Sequence, residues 1–352
     1  MISKEQIEEI RAYLEKAENP LFIFDDDPDG LSSFLLLWKL VRKGHWFPFT
    51  HNLRNAHQLL GAVEVLQPDL IVLLDMPVVD QEFVDLVTVP ILHIDHHPPI
   101  TLKGSHYHYY NPRVTDDNDS RPTTYWAYQV SQSNLWIGMV GMISDWFVPE
   151  YTADFSKNYP DLIDEEPKSQ GYAYFETELG RLAKIFSFCL KGKKEESTKC
   201  IKALMMIENP YEILRQETPS GRLIYKYTEK FNKKYEIMKM DAIEMLSAEK
   251  IFLYAYPYVA DSFSSLLSTE LVYRFPEKIV IVARMKDMDT IMSIRSRCII
   301  IEPLLQKALE GLEGFGGGHD LACGCKIANE DFNTFLERFK VLIDEAEASL
   351  KN

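Results

Sequence analysis

The sequence predicts an α/β protein of two α/β domains, an N-terminal parallel-sheet domain and a smaller C-terminal mixed-sheet domain, joined by a helical connector. In the first half, apolar runs of strand length alternate with runs of helical spacing, which is typical of a parallel sheet covered on both faces. A new strand-rich stretch begins near residue 250, and 352 residues are enough for two domains. We expect the division 1–190, 191–249 and 250–352.

The elements of the first part follow from apolar spacing and from turn-forming residues between the runs. In chain order we predict a helix at 3–17, strand Leu21–Phe24, helix Leu31–Lys43, strand Trp46–Thr50, helix His57–Leu66, strand Leu70–Leu74, helix Val79–Val87, strand Pro90–Ile94, edge strand His106–Asn111, and helices Thr123–Ser131, Leu135–Ile143, Phe175–Cys189 and Lys194–Met206. Residues 147–172 have no clear period and predict a loop or insertion.

The second part begins after a long run of mixed charge, Gly221–Ser247, which predicts the connector helix. Beyond it we predict strands Ile251–Tyr256, Lys278–Met285 and Thr290–Arg295, a glycine-rich turn within Gly314–Lys326, and a final helix Asp331–Leu350.

Composition limits the classes of function. The formal net charge of −15 argues against a broad surface that coats nucleic acid, although a local basic groove remains open. The five cysteines are scattered and odd in number, which argues against a fold held together by a framework of disulfides. Its apolar stretches are shorter than a membrane helix, and the start lacks the apolar core of a signal peptide, so we expect no membrane and a cytoplasmic location.

Carboxylates and histidines follow the apolar runs of the first half. Each acid alone could cap a helix, as Asp is a favoured N-cap residue. Several acids meeting at one sheet edge, however, would repel one another unless a cation neutralised them. Oxygen ligands with one or two imidazoles suit Mn²⁺ or Mg²⁺, so the pattern predicts a divalent metal cluster. The residues that form it are Asp25, Asp27, Asp29, Asp75, Asp95, His96, His97 and Asp145.

In these motifs the sequence resembles the DHH phosphoesterase family, in particular its RecJ-like nuclease branch and the compact archaeal members of Hef-associated type. The matching elements are Asp25-x-Asp27-x-Asp29-Gly30, Asp75, Asp95-His96-His97, Asp145, Ser293-Ile294-Arg295 and Gly316-Gly317-Gly318-His319. The last two resemble the DHH-associated C-terminal domain. Many members carry a histidine where this chain has Ile23, and the RecJ-like branch uses the acid at Asp25 instead.

The resemblance implies two divalent ions, with Mn²⁺ preferred and Mg²⁺ also accepted. It implies that the metal ligands are Asp25, Asp27, Asp29, Asp75, His96 and Asp145, with Asp75 bridging. His97 would touch the scissile phosphate or the attacking water, with Asp95 beside it. The substrate-binding residues would be Ser293, Arg295, Gly316, Gly317, Gly318, His319 and Arg121, although Arg121 is equally typical of a surface ion pair.

The function this implies is a metal-dependent phosphodiesterase that hydrolyses single-stranded DNA or RNA from one end. Because the chain is acidic, binding a strand would need a local basic track, for which connector lysines such as Lys230, Lys233 and Lys234 are candidates, although they are equally typical of a solvated helix face. Aromatics such as Phe231 and Tyr235 would stack bases or belong to the core. A DNA repair or replication protein and a second copy of the chain are the partners implied. The alternatives are a nanoRNase or cyclic-dinucleotide phosphodiesterase and a non-enzymatic Cdc45-like replication scaffold.

Overall fold

The structure is a computed structural model, and it describes residues 1–49, 56–257 and 261–350. The chain folds into two compact units, Met1–Glu229 and Lys230–Asn352, each with one five-stranded sheet. The predicted α/β class is confirmed, because one sheet is parallel and the other is mixed. The predicted division at residues 190 and 249 stays a prediction.

The first unit is built around a parallel sheet. Its strands are β1 (Pro20–Asp25), β2 (His45–Phe49), β3 (Leu70–Leu74), β4 (Ile91–Ile94) and β5 (Tyr107–Tyr110), in the order β2-β1-β3-β4-β5. Three of these strands, β1, β3 and β4, are almost wholly buried, as expected when both faces of a parallel sheet are covered. Thr50, the predicted last residue of the second strand, lies outside the described residues.

In the part of the chain that the structure describes, one helix precedes this sheet, three helices connect its first four strands, and the others follow it, the last of them continuing past Glu229 into the second unit. They are α1 (Lys4–Lys16), α2 (Pro28–Val41), α3 (Ala56–Leu66), α4 (Gln81–Leu86), α5 (Thr123–Ser131), α6 (Leu135–Ser144), α7 (Thr152–Asn158), α8 (Gln170–Phe175), α9 (Glu178–Cys189), α10 (Lys194–Met205), α11 (Pro210–Leu214) and α12 (Pro219–Glu244). No helix among the described residues is both long enough and apolar enough to cross a membrane.

Helix α2 begins three residues before the predicted start at Leu31. The acidic motif is its first turn, because the Asp27 carboxylate accepts a 2.9 Å hydrogen bond from the Gly30 N–H and Pro28 occupies the first helical position. A Cβ on Gly30 would lie only 2.6 Å from the Asp25 carbonyl oxygen. Glycine therefore lets the helix start directly against β1.

The predicted loop at 147–172 was wrong in part, since α7 lies inside it and α8 begins there. Both helices are short, with seven and six residues, so neither repeats its apolar positions often enough to show a period. Phe155 and Tyr174 nevertheless pack into the core. These short helices are therefore stabilised by packing against the rest of the protein.

The second unit contains a mixed sheet. Its strands are β6 (Ile251–Pro257), β7 (Ile279–Lys286), β8 (Asp289–Arg295), β9 (Gly314–His319) and β10 (Ala322–Ala328), and its helices are α13 (Ser264–Arg274), α14 (Glu302–Leu309) and α15 (Phe332–Leu350). The order is β6-β7-β8-β10-β9, with only β6 and β7 parallel.

The glycine-rich stretch is an edge strand, so the predicted turn at this place was wrong. Gly316, Gly317 and Gly318 all belong to β9 and pair with β10. Glycines carry no apolar side chains, so this strand has none of the alternation by which strands are recognised. A Cβ on Gly316 would lie 2.9 Å from the Gly324 carbonyl oxygen, which explains a glycine at this position.

Candidate metal centre

Register aligns one polar residue at the carboxyl end of each of four neighbouring strands. Phe24 pairs with Leu74, Leu74 with Ile94, and Ile94 with Tyr110. The residues that follow these four are Asp25, Asp75, Asp95 and Asn111. They form a row along the carboxyl edge of the sheet, where ligands of open α/β sheets bind.

Asp29 is held by the start of helix α5. Its two carboxylate oxygens accept hydrogen bonds from the backbone N–H groups of Thr123 and Thr124, at 2.9 and 2.8 Å. The Thr123 hydroxyl donates a further bond of 3.1 Å to Asp75. Because a helix N-terminus favours negative charge, the start of α5 helps to fix both carboxylates.

His96 lies among three carboxylates. Its Nε2 atom is 3.4 Å from an oxygen of Asp75, 3.7 Å from one of Asp145 and 3.9 Å from one of Asp29. Asp145 follows α6 as its C-cap residue, and its side chain is partly buried. The start of α5 and the end of α6 thus add Thr123 and Asp145 to the row of residues at the strand ends.

His97 is oriented by a hydrogen-bond network behind it. Its Nδ1 is 2.8 Å from Asp95 Oδ1, while Asp95 Oδ2 accepts bonds from the Tyr109 hydroxyl at 3.2 Å and from Asn111 Nδ2 at 3.1 Å. The Asn111 amide also donates to the His97 carbonyl at 2.9 Å. A carboxylate in this place fixes the tautomer with Nδ1–H, which leaves Nε2 for other partners.

Asp75 adopts a left-handed backbone conformation, with φ of 61°. Such a conformation is uncommon for a residue other than glycine and persists where the surroundings impose it. The buried His93 contributes, because its Nε2 bonds the carbonyl of the next residue, Met76, at 3.0 Å, and its Nδ1 bonds the Tyr107 hydroxyl at 2.7 Å. His93 is therefore a structural histidine that holds the chain around Asp75.

The carboxylates of the site have perturbed pKa values. Burial raises the pKa of Asp75 well above its usual range, and the charges of Asp29 and Asp27 raise it further. Burial also raises the pKa of Asp25 and of Asp145, each to about 7, and His96 opposes the rise at Asp145. The same burial raises the pKa of Asp29. Burial is thus the main cause of the raised pKa values, and repulsion between neighbouring carboxylates adds to it.

The imidazoles and Asp95 respond in the opposite sense. Burial alone would lower the pKa of His96, but its hydrogen bond to Asp75 and the charge of Asp145 raise the pKa well above its usual value. Burial would raise the pKa of Asp95, but its hydrogen bond to His97 lowers it. The imidazoles thus supply part of the positive charge that the site needs.

These residues fit divalent metal ions. Three sets each place their ligand atoms within 4.8 Å of one another, namely Asp75 with His96 and His97, Asp29 with His96 and Asp145, and Asp25 with Asp27 and Asp75. Carboxylate oxygens with imidazole nitrogen are the donors preferred by Mn²⁺ and Mg²⁺. The exposed Asp26 belongs to none of these three sets, as strand alternation predicts. The individual metal-ligand assignments stay predictions.

Arg121 lies just before α5, and its guanidinium already has partners. Its Nε donates to Asp119 at 2.8 Å, its Nη2 donates to the other oxygen of the same carboxylate, and its Nη1 donates to the Tyr125 hydroxyl at 3.3 Å. The guanidinium also stacks over Trp126 at 4.5 Å. This geometry matches the alternative of an ion pair, and the predicted phosphate contact by Arg121 stays a prediction.

In the second unit, four of the predicted substrate residues share one sheet face, because successive strand residues alternate between faces; these four are Ser293, Arg295, Gly317 and His319. Arg295 is in register with Ala322 and His319, and Ser293 is in register with Gly324 and Gly317. A Cβ on Gly324 would meet no atom within 4 Å, so the glycines leave this face open.

The guanidinium of Arg295 is fixed by its neighbours. Its Nε donates to Thr269 at 3.2 Å, and its Nη2 donates to Ser265 at 3.1 Å. Burial lowers the pKa of Arg295 to about 10, at which it remains charged at neutral pH. The roles of Ser293, Arg295, Gly316, Gly317, Gly318 and His319 in substrate binding stay predictions.

Three residues near the row were missed by sequence reasoning. Asn111 directly follows β5, and its place beside the acids becomes visible only once β5 is paired with β4. Thr123 and Thr124 act mainly through backbone N–H groups, which any residue could supply. The sequence signal there is only the Pro122 that precedes the helix.

Comparison with known proteins places these observations in a family context. Residues 254–349 match the model of the DHHA1 domain. A search of curated proteins gave no significant match.

Several solved structures share the fold. RecJ from Thermus thermophilus, in complex with Mn²⁺, has a TM-score of 0.66 at 16% identity, and the match covers 95% of this chain and 54% of that chain. The chain therefore spans about half the length of that RecJ. An exonuclease RecJ bound to manganese has a TM-score of 0.63 at 15% identity, with 97% and 94% of the two chains covered.

The pGpG-specific phosphodiesterase PggH from Vibrio cholerae is similar at a TM-score of 0.51 and 15% identity, with 94% of this chain and 99% of that chain covered. The resemblance seen in the sequence motifs is thus confirmed: the chain has the RecJ-like fold of DHH proteins and carries a DHHA1 domain at residues 254–349.

Proposed function

We propose that this chain is a metal-dependent phosphodiesterase that hydrolyses single-stranded nucleic acid from one end. The observation that carries the proposal is the cluster of carboxylates and imidazoles at the carboxyl edge of the parallel sheet. The likeness of the fold to RecJ exonuclease supports the choice of substrate class.

The ligands we propose for two divalent ions are Asp25, Asp27, Asp29, Asp75, His96 and Asp145. When bound, such ions can activate water and stabilise the leaving oxygen of a phosphoryl displacement, and we propose Mn²⁺ as the preferred ion. His97 is the residue we place against the phosphate or the attacking water. The hydrogen bond from its Nδ1 to Asp95 fixes the orientation of the ring. The Nε2 atom is then the one that faces the substrate in this role.

Two features support a polynucleotide strand as the substrate. Trp146 follows Asp145 directly and is partly exposed, with its ring 6.1 Å from that of Phe175, so a base could stack beside the site. Exposed lysines on α12, among them Lys230 and Lys233, could contact phosphates.

The aromatic residues near these lysines have another role. Phe231 and Tyr235 are buried, so they belong to the core and do not stack bases. We therefore assign base stacking to Trp146, which lies directly after Asp145 and outside the connector.

The experiment that tests the proposal compares end-labelled single-stranded DNA, single-stranded RNA and dinucleotides as substrates in Mn²⁺. We expect strands of ten or more nucleotides to be shortened stepwise, faster than dinucleotides are cut, and chelator or Asp75→Ala to abolish the reaction. A chain that cuts no phosphodiester in Mn²⁺ or Mg²⁺ would refute the proposal. Faster cleavage of dinucleotides would instead favour a nanoRNase or dinucleotide phosphodiesterase.

A further inference from the structure

Two buried cysteines of the first unit lie in direct contact. Cys189 is the last residue of α9 and Cys200 lies in α10, 11 positions later, and their sulfur atoms are 2.7 Å apart. Non-bonded carbon atoms pack at about 3.5–4.0 Å, and sulfur is larger than carbon. A disulfide needs about 2.05 Å, so a small shift separates this pair from a covalent bond.

The surroundings hold the two helices in this arrangement. Both cysteine side chains are fully buried, and the Ser197 hydroxyl of α10 donates a 2.8 Å hydrogen bond to the Cys189 carbonyl at the end of α9. Helix α9 also packs against α6, where the rings of Phe186 and Trp136 are 6.0 Å apart. Helix α9, which carries Cys189, therefore packs against the helix that Asp145 caps.

We propose that Cys189 and Cys200 are a disulfide-forming site that joins α9 to α10. With a small disulfide as the oxidant, one cysteine thiolate attacks the oxidant and releases one of its thiols. The other cysteine then displaces the second oxidant thiol, so that two cysteine thiols and one oxidant disulfide become one protein disulfide and two oxidant thiols.

Burial governs how the bond forms. Since burial raises the pKa of the Cys189 thiol well above its usual range, the thiolate is scarce in the folded chain. We therefore expect fast oxidation while the chain refolds and slow oxidation once the two helices are packed.

The test uses the full chain with Cys298→Ser, which removes the exposed thiol and keeps four cysteines. The protein is refolded from denaturant in a buffer of oxidised and reduced glutathione. Its free thiols are then counted under denaturing conditions, and its disulfide-linked peptides are mapped by mass spectrometry. We expect two of the four thiols to disappear, a mass lower by two hydrogen atoms, and one linked pair, Cys189 with Cys200.

A matched variant that also carries Cys200→Ala should keep all its remaining thiols, and the oxidised parent should melt about 5 °C or more above its reduced form. Four free thiols after oxidative refolding, or a link between other cysteines, would overturn the proposal. The peptide map is made on a chain that keeps both Cys189 and Cys200. Its result therefore stands even if the Cys200→Ala variant folds poorly.

Discussion

Replacing Asp95 by asparagine tests the orientation of His97. The change keeps the shape of the side chain but turns one oxygen into an amide donor. In the folded chain Asp95 accepts bonds from His97 on one side and from Tyr109 and Asn111 on the other. Either orientation of the new amide therefore sets a donor against a donor, or forces His97 into the opposite tautomer.

The magnitude follows from the bond that is lost. A hydrogen bond to a charged group contributes about 1.5–3 kcal/mol, which corresponds to about a 10- to 150-fold fall in kcat for Asp95→Asn. Tyr109→Phe removes a hydrogen bond to the same carboxylate but leaves the bond between Asp95 and His97 in place, so its kcat should fall less than that of Asp95→Asn.

The assay is steady-state cleavage of an end-labelled single strand in saturating Mn²⁺, with thermal unfolding as a check on the fold. Asp26→Asn is the matched control, because Asp26 is an exposed acid of the neighbouring motif. Asp95→Asn activity within twofold of the parent, in a folded protein, would refute the reasoning.

Three further predictions concern packing and substrate contacts. Gly30→Ala should lower the free energy of unfolding by about 1–3 kcal/mol in urea titrations, because its Cβ would press on the Asp25 backbone, whereas Gly61→Ala, with open space around it, should be neutral or stabilising. Arg295→Ala should weaken the binding of a single strand about 10- to 150-fold in fluorescence anisotropy, because a charged contact is lost, and it should leave Mn²⁺ affinity unchanged. Arg338→Ala is the control. A loss of Mn²⁺ affinity in Arg295→Ala would contradict the assignment. Trp146→Ala should weaken strand binding by about 1–3 kcal/mol in the same assay, and unchanged affinity would remove this residue from the substrate surface.

Much of the site could be predicted because its acidic residues stand directly at the ends of apolar runs in the sequence. Asp75 follows five apolar residues, and parallel strands bring their carboxyl ends to one edge. The position of Asp145 depended on the length of α6, which its apolar run also revealed. The lengths of the apolar runs and the residue types at their ends were therefore enough to predict that these carboxylates lie close together.

The rest depended on information that side-chain patterns do not carry. The bonds from α5 to Asp29 come from backbone N–H groups, and the glycines of β9 have no apolar alternation to mark a strand. Asn111 joins the site because β5 ends in register with β4, which requires the strand pairing itself. Sequence reasoning found the charged groups and missed the neutral partners that orient them.

The central claim, that the carboxyl edge of the first sheet is a two-ion centre, is tested most directly by counting bound Mn²⁺. Isothermal titration of the full chain after chelator treatment should give two ions per chain. Asp75→Asn should reduce the number or abolish binding, because Asp75 is the ligand we propose to be shared, while Asp26→Asn should keep both ions. A parent chain that binds no Mn²⁺, or an Asp75→Asn chain that binds two ions with unchanged affinity, would contradict the account.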